Sequence, residues 1–227
     1  MKTAMTSLTF DEKKDHSNVK KNLYILGAGG FAKEVYFLAK EIGHFEMAAF
    51  VDLQIGESIV FTEGSIPVIA DSDLDKIKDP NMCLAIGIGD PKIIERLRHE
   101  YLGRYDFPNL IHLSVIGDFP NIEMGQGNII TANVVFTTHI TIGDMNIFNL
   151  NATIGHDAQI GSGNVVNPSV NISGGVSIGD FNMLGVSSVI LQYKKIADYA
   201  VIGACALVNK DVESHATVVG IPAKKIS

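Results

Sequence analysis

A small, mostly parallel α/β sheet followed by a parallel β-helix is the fold that the 227-residue sequence predicts. Three observations predict it. From Met124 to Val208 an aliphatic or aromatic residue returns at every sixth position, through Ile130, Phe136, Ile142, Phe148, Ile154, Ile160, Val166, Ile172, Ile178, Leu184, Ile190, Ile196 and Ile202. Ahead of that stretch, from about Asn22 to Asn109, short apolar strand patterns alternate with helical ones. A glycine-rich turn, Gly27-Ala28-Gly29-Gly30-Phe31-Ala32, joins the first strand pattern to the first helix pattern.

In chain order, residues 1–21 are polar and rich in Lys, Asp and Ser, without the apolar core of a signal peptide, and are expected to form a flexible leader. Leu23 to Leu26 is a buried-strand candidate running into the glycine-rich turn. The helix that follows presents Val35, Phe37, Leu38 and Ile42 as its apolar face, and Gly43 stops it. Met47 to Val51 is a second strand ending at Asp52, Ser65 to Ile69 a short extended piece, and Ser72 a cap for a small helix. Met82 to Gly87 is another buried strand, and Pro91 to about Tyr101 an amphipathic helix. Strands alternating with helices argue a parallel sheet with helices packed on it. The change of regime falls at Pro108-Asn109-Leu110-Ile111-His112, so the expected division is 22–109 for the α/β domain and 110–227 for the β-helix.

A six-residue period suits neither an amphipathic helix nor an alternating strand; it is the hexapeptide repeat of a β-helix, in which three hexads make one triangular coil of about eighteen residues. Each inward aliphatic residue stacks on its counterparts in adjacent coils, and burying one contributes roughly 1.5–3 kcal/mol. Small or polar residues recur four positions on, as at Asn146, Ala152, Asn164, Asn182 and Ser188. Glycine often follows the aliphatic residue directly, as at Gly143, Gly155, Gly161, Gly179, Gly185 and Gly203, where a tight corner is expected.

Composition narrows the function. A formal charge of −7 argues against a nucleic-acid binder, and no apolar run is long enough to span a bilayer. Cys83 and Cys205 are far apart and lack metal-ligand spacing, which suits reduced thiols in a cytoplasmic protein. The turn at Gly27, Gly29 and Gly30 lies between strand and helix, where free backbone N–H groups and the helix dipole face an anion. Asp52 ends the second strand about where a carboxylate reaches a ribose hydroxyl. The alternative for such a turn is plain packing of helix on sheet.

The two halves together resemble the bacterial sugar acyltransferases that carry a small nucleotide-binding domain before a left-handed β-helix: N-acetyltransferases of UDP-4-amino-sugars and of GDP-perosamine, and sialic acid O-acetyltransferases. The markers are Leu26-Gly27-Ala28-Gly29-Gly30, Phe50-Val51-Asp52, Ala85-Ile86-Gly87, Leu110-Ile111-His112, Gly155-His156-Asp157 and Gly220-Ile221-Pro222-Ala223-Lys224. Two positions depart from the family pattern: Phe31 stands where a His is common, and Leu113 where a Pro is common.

The resemblance implies acetyl transfer from acetyl-CoA to a nucleotide-linked amino sugar, in a cytoplasmic homotrimer without metal. It makes His156 the general base, a task that suits an imidazole near neutral pH, and Asp157 its acidic partner. Adjacent side chains on extended backbone diverge, which sets Asp157 at a disadvantage for reaching His156 within one subunit. Substrate contacts are implied at Gly27, Gly29, Gly30, Asp52, Gly87 and Asn149; Gly174, Gly185 and Ala204 would line the acetyl-CoA groove, with Lys210 and Lys224 toward its phosphates. Among the other histidines, His139 lies near the same region at a different place in the hexad, and His16, His44, His99, His112 and His215 read as structural or solvent-facing. No Ser or Cys sits in a nucleophile motif, so direct transfer without an acyl-enzyme is expected. The alternatives are O-acetylation of sialic acid or another sugar hydroxyl, and a non-catalytic sugar-nucleotide scaffold. A zinc hydratase on the same scaffold needs three convergent histidines, which the spacing does not provide, and an NAD-dependent enzyme needs a longer first domain.

Overall fold

The structure, a computed structural model, describes residues 20–53 and 55–227. Of the expected leader only Lys20 and Lys21 fall among them, and Lys21 already opens the first strand; His16 lies outside the described residues.

The N-terminal sheet contains β1 (Lys21–Leu26), β2 (Phe45–Asp52), β3 (Gly56–Phe61), β4 (Gly64–Ala70) and β5 (Met82–Ile86), in the order β3-β4-β2-β1-β5. All neighbouring pairs are parallel except β3 with β4. The sequence reading missed β3 because an edge strand packs few of its side chains: most of Gly56–Phe61 is exposed, so no buried alternation marks it. Two helices, α1 (Gly30–Ile42) and α2 (Pro91–Tyr101), follow β1 and β5. Gly43 ends α1 in the left-handed conformation, φ 77°, with its N–H donating to the Ala39 carbonyl. Phe37 is 58% exposed and does not join the apolar face. It sits two residues from Val35, on the far side of a 3.6-residue turn, and Tyr36 and Ala39 are buried instead. Nor does Ser72 cap a helix: it lies inside a 3₁₀ turn, Asp71–Lys76, preceded by extended Ala70 and anchored by buried Leu74. In α2, Asp90 accepts from the Lys92 N–H (2.9 Å) and Pro91 opens the first turn.

The second half is a left-handed parallel β-helix with three faces. In one coil the chain passes from the first face (Ile140–Ile142) to the second (Ile147–Phe148) to the third (Thr153–Ile154). Each strand then pairs with the one eighteen residues on, as Phe148 with Val166 and Ile154 with Ile172. Every member of the six-residue register is buried, Met124 at 9% exposure and the rest at 3% or less.

The corners turn by a different device from the one expected. The left-handed residue is the third after each inward aliphatic: Asn133, His139, Met145, Asn151, Asp157, Ser169, Phe181, Ser187, Tyr193, Tyr199 and Cys205 all have φ between 54° and 61°. The glycines directly after the aliphatic residue answer to space. A Cβ on Gly155 would meet Gly174 N at 2.5 Å, and one on Gly185 would meet Ala204 N at 2.5 Å, so the next coil's backbone leaves no room for a side chain.

Along the edge between first and second faces, the fully buried Asn128, Asn146, Asn164 and Asn182 form a ladder. Asn146 donates through Nδ2 to Asn128 Oδ1 (3.1 Å) and to the Gly161 carbonyl (2.9 Å), while its Oδ1 accepts from Asn164 N (2.9 Å). Asn109 closes the lower end and the Ala200 N–H the upper.

The sheet packs on this side of the prism. Leu110, Ile129, Met145, Ile147 and Val165 belong to the same buried cluster as the β1, β2 and β5 side chains. Helix α2 adds two polar ties, Arg98 to Asp144 (3.1 Å) and the Tyr199 hydroxyl to Glu95 (2.8 Å). The edges at Asn149–Ala152 and Gly155–Ala158 carry neither of these ties.

Candidate functional site

At the edge where the third face (Thr153–Ile154) passes to the first face of the next coil (Gln159–Ile160), His156 and Asp157 lie side by side with their side chains 46% and 65% exposed. The expected divergence does not occur. Asp157 is a corner residue at φ 58°, and the left-handed turn swings its carboxylate back so that Oδ2 lies 2.7 Å from His156 Nδ1. An ionised carboxylate only accepts, so Nδ1 donates to it, and in the neutral imidazole Nε2 is then the basic nitrogen.

Gly174 stands one coil above His156, and a Cβ there would land on the imidazole at Nε2. Its φ is not in the left-handed region, so glycine serves here to leave room for the ring. One coil below come Thr138 and His139, the same corner eighteen residues earlier, and the Asp157 N–H donates to the Thr138 carbonyl (3.2 Å). Thr138 Oγ1 donates to Asp118 Oδ2 (2.5 Å) and lies 2.9 Å from His139 Nδ1; Asn121 Nδ2 also donates to Asp118 Oδ2 (2.8 Å). Hydrogen bonds from Thr138 and Asn121, and then the charge of His139, hold the Asp118 carboxyl below its ordinary value. Subtracting one coil from His156 points to Thr138 and His139. Asp118 precedes the six-residue register, and nothing in the sequence signals it.

Other expected site residues lie elsewhere. Asn149 is on the edge between second and third faces, where its Oδ1 accepts from the Leu150 N–H (2.8 Å). His156 and Asn149 therefore sit on different edges of one prism. Gly185 and Ala204 share the Asn149 edge, whereas Gly174 shares that of His156. Lys210 and Lys224 line one cavity of about 360 Å³ at the C-terminal end of the β-helix, together with Asp211, Glu213 and Lys225. Lys225 is paired with Glu213 at 2.8 Å.

In the first domain the glycines divide into two kinds. Gly27 has φ 110° and Ile88 against it, and Gly87 is closed in by Ile25 and Ala32; both meet a packing demand. Gly29 and Gly30 have nothing within 4 Å of a Cβ and are exposed, so the N-terminus of α1, which no side chain caps, opens to solvent. A cleft of about 530 Å³ is lined by Ala28 from the turn, by Asp52, by Ile55 just before β3, and by Gly56, Glu57 and Ile59 along β3. The sequence reading named Asp52 and the turn but not this second wall, which the missed strand supplies. Phe31, where the family commonly has a His, is half-buried against the sheet.

Cys83 is buried and Cys205 exposed, both as free thiols; burial pushes the Cys83 thiol up to about 12. Among the described residues no group of His, Cys, Asp and Glu is placed to hold a metal ion, and no helix is long and apolar enough to cross a membrane.

Residues 22–101 match the PglD N-terminal domain family. PerB from Caulobacter crescentus, solved with CoA and GDP-perosamine, is 28% identical, with a TM-score of 0.83 over 91% of this chain and 97% of that one. A mutant of perosamine N-acetyltransferase from the same organism, also with CoA and GDP-perosamine, gives 27% identity and a TM-score of 0.84 over 91% and 97%. The acetyltransferase domain of PglB from Neisseria gonorrhoeae, with acetyl coenzyme A, gives 25% identity and a TM-score of 0.82 over 92% and 100%. A search of curated proteins finds no match.

Proposed function

We propose that this chain, one of the bacterial sugar acetyltransferases and an acyltransferase with acetyl-CoA as co-substrate, N-acetylates a nucleotide-linked amino sugar for surface glycan synthesis. The observation that carries this reading is the His156–Asp157 pair, with Nε2 of an exposed imidazole left free to accept a proton. As the amine attacks the thioester carbonyl, His156 takes the proton that the nitrogen sheds, and Asp157 stabilises the imidazolium. The proton then passes to the departing CoA sulfur. The open cleft at Ala28 and Asp52, next to an uncapped helix N-terminus, supports binding of the nucleotide diphosphate and ribose by the first domain. Relatives solved with GDP-perosamine support a nucleotide amino sugar over free sialic acid. Both proposed substrates are charged and do not cross a bilayer unaided, which supports a reaction in the cytoplasm.

A homotrimer is part of this reading. His156 and Asn149 occupy different edges, and the sheet docks along a third, so edges of two copies must meet to gather all the proposed site residues. Exposed apolar side chains support that meeting: Leu150 and Val186 on the Asn149 edge, Leu191 and Tyr193 on the His156 edge. The acetyl-CoA groove would then lie between copies, with Gly174 on one wall and Gly185 and Ala204 on the other, and Lys210 and Lys224 toward the CoA phosphates.

The test is CoA thiol release from acetyl-CoA with UDP-, GDP- and TDP-linked 4-amino-sugars, beside free sialic acid. Turnover on one nucleotide amino sugar, reduced about 10²–10⁴-fold in His156→Ala, is expected. Activity on sialic acid alone selects O-acetylation, and CoA binding without turnover on any acceptor selects a scaffold. Mixed trimers of His156→Ala and Asn149→Ala chains should regain roughly a quarter of wild-type activity if each site draws on two copies; no regain places both residues of a site in one chain.

A further inference from the structure

Resting on the amine-acetylation reading above, we propose that His139, aligned by Thr138 and Asp118, is a second proton acceptor on the edge that carries His156, and that it takes the proton an ammonium acceptor must lose before it can attack. The argument begins with hydrogen-bond polarity. Asp118 is held ionised by two donors and so only accepts. The single proton of the Thr138 hydroxyl is committed to Asp118 Oδ2, so the 2.9 Å contact between Thr138 Oγ1 and His139 Nδ1 requires His139 to donate. His139 is thereby fixed with its proton on Nδ1 and a bare Nε2. It matches His156, whose Nδ1 is turned toward Asp157. His112, by contrast, accepts at Nδ1 from the Ser114 N–H (3.0 Å), the opposite tautomer.

Position supports the pairing. His139 occupies the left-handed corner one coil below Asp157, a rung spacing of ~4.8 Å, and the two rungs are joined by the Asp157 N–H to Thr138 carbonyl bond. Both imidazoles are exposed on the same edge. Asp118 reaches toward His139 through Thr138 on one side, and Asp157 and His156 occupy the next rung above.

The chemistry needs two acceptors. A sugar amine, flanked by electron-withdrawing oxygens, resembles an α-amino group of pKa about 8 more than a lysine and is mostly protonated at neutral pH, and an ammonium has no lone pair to attack with. The ammonium gives one proton to His139 Nε2, leaving a neutral amine and a His139 imidazolium. The amine nitrogen then bonds to the thioester carbon, its second proton goes to His156, the carbon–sulfur bond breaks, and His156 returns that proton to sulfur. The products are the amide and CoA thiol, and His139 releases its proton to water. His156 alone cannot hold both protons.

The experiment compares wild type, His139→Gln, Thr138→Val and His156→Ala with acetyl-CoA and GDP-perosamine or a UDP-4-amino-sugar, measuring kcat/KM from pH 6 to 9. For His139→Gln the deficit should be about tenfold at pH 7, where only a minor share of the amine is free, and should close above about pH 8. Thr138→Val should shift the profile the same way by a smaller factor, and His156→Ala should be depressed at every pH. A deficit independent of pH, or none, overturns the proposal. Nitrogen NMR of the uncomplexed protein adds a readout free of turnover: His139 should show the Nδ1–H tautomer, and Thr138→Val should erode it. An Nε2–H tautomer in the wild type also overturns the proposal. Wild-type turnover of a sugar hydroxyl, with none on any UDP-, GDP- or TDP-linked amino sugar, would instead refute the amine reading, and this inference with it.

Discussion

Gly174 illustrates how a residue without a side chain positions one that has chemistry. The His156 ring lies over it, and the three atoms nearest to a Cβ there all belong to the imidazole. Gly174→Ala should therefore leave the melting temperature nearly unchanged while pushing His156 aside. An error of about 1 Å in such a group costs on the order of 10²-fold in rate, and that loss should appear in acetyl transfer to whichever acceptor wild type turns over. Full activity in the variant would show that the ring has another place to sit. At this scale the sequence named His156 and Asp157 but mistook how they meet. Their contact depends on a left-handed corner at Asp157, a backbone state favoured by neighbouring coils more than by the residue itself.

The β-helix stacks identical solutions, and its asparagine ladder shows what each rung contributes. Asn146→Ala would strip a partner from the Asn164 N–H, the Gly161 carbonyl and Asn128 Oδ1, all at a buried edge. Each buried polar group left unpaired costs about 1–3 kcal/mol, so a marked drop in urea midpoint is expected. An unchanged midpoint would mean that water enters the edge to replace the amide. The hexapeptide period was legible because inward burial recurs at fixed spacing through all fifteen positions. The polar ladder was visible only as recurring Asn, since its bonds join residues eighteen apart. The edge strand β3 was not legible at all, having too few buried side chains to leave a pattern, yet it walls the cleft at Asp52.

Across the molecule, Arg98–Asp144 and Glu95–Tyr199 tie the α/β sheet to one edge of the prism, leaving the His156 and Asn149 edges without such ties. Surface carboxylates reinforce the fold in a pH-dependent way. Hydrogen bonds from Lys40 and Tyr36 hold Glu63 low, those from Tyr105 and Arg104 hold Asp75 low, Thr138 and Asn121 do so for Asp118, and Lys225 for Glu213. Because their folded values are depressed, the stability they contribute is present above the ordinary carboxylate range and is lost as pH falls through the lowered values. Melting temperature should therefore be level from about pH 7 to 5 and fall steadily below about pH 4. A melting temperature that holds constant to pH 3 would show these pairs to be too solvated to matter.

The sequence by itself determined the β-helix and the alternating α/β sheet before it, because periodic burial and strand–helix alternation are signals written along the chain; the histidine–aspartate pair was marked out by family resemblance and not by its spacing. Tertiary structure alone decided that Asp157 reaches back to His156, that Asp118 from a lower coil meets Thr138 beside His139, and that Asn149 lies on another edge. These depend on coil stacking and corner geometry, which bring together residues that sequence spacing keeps apart.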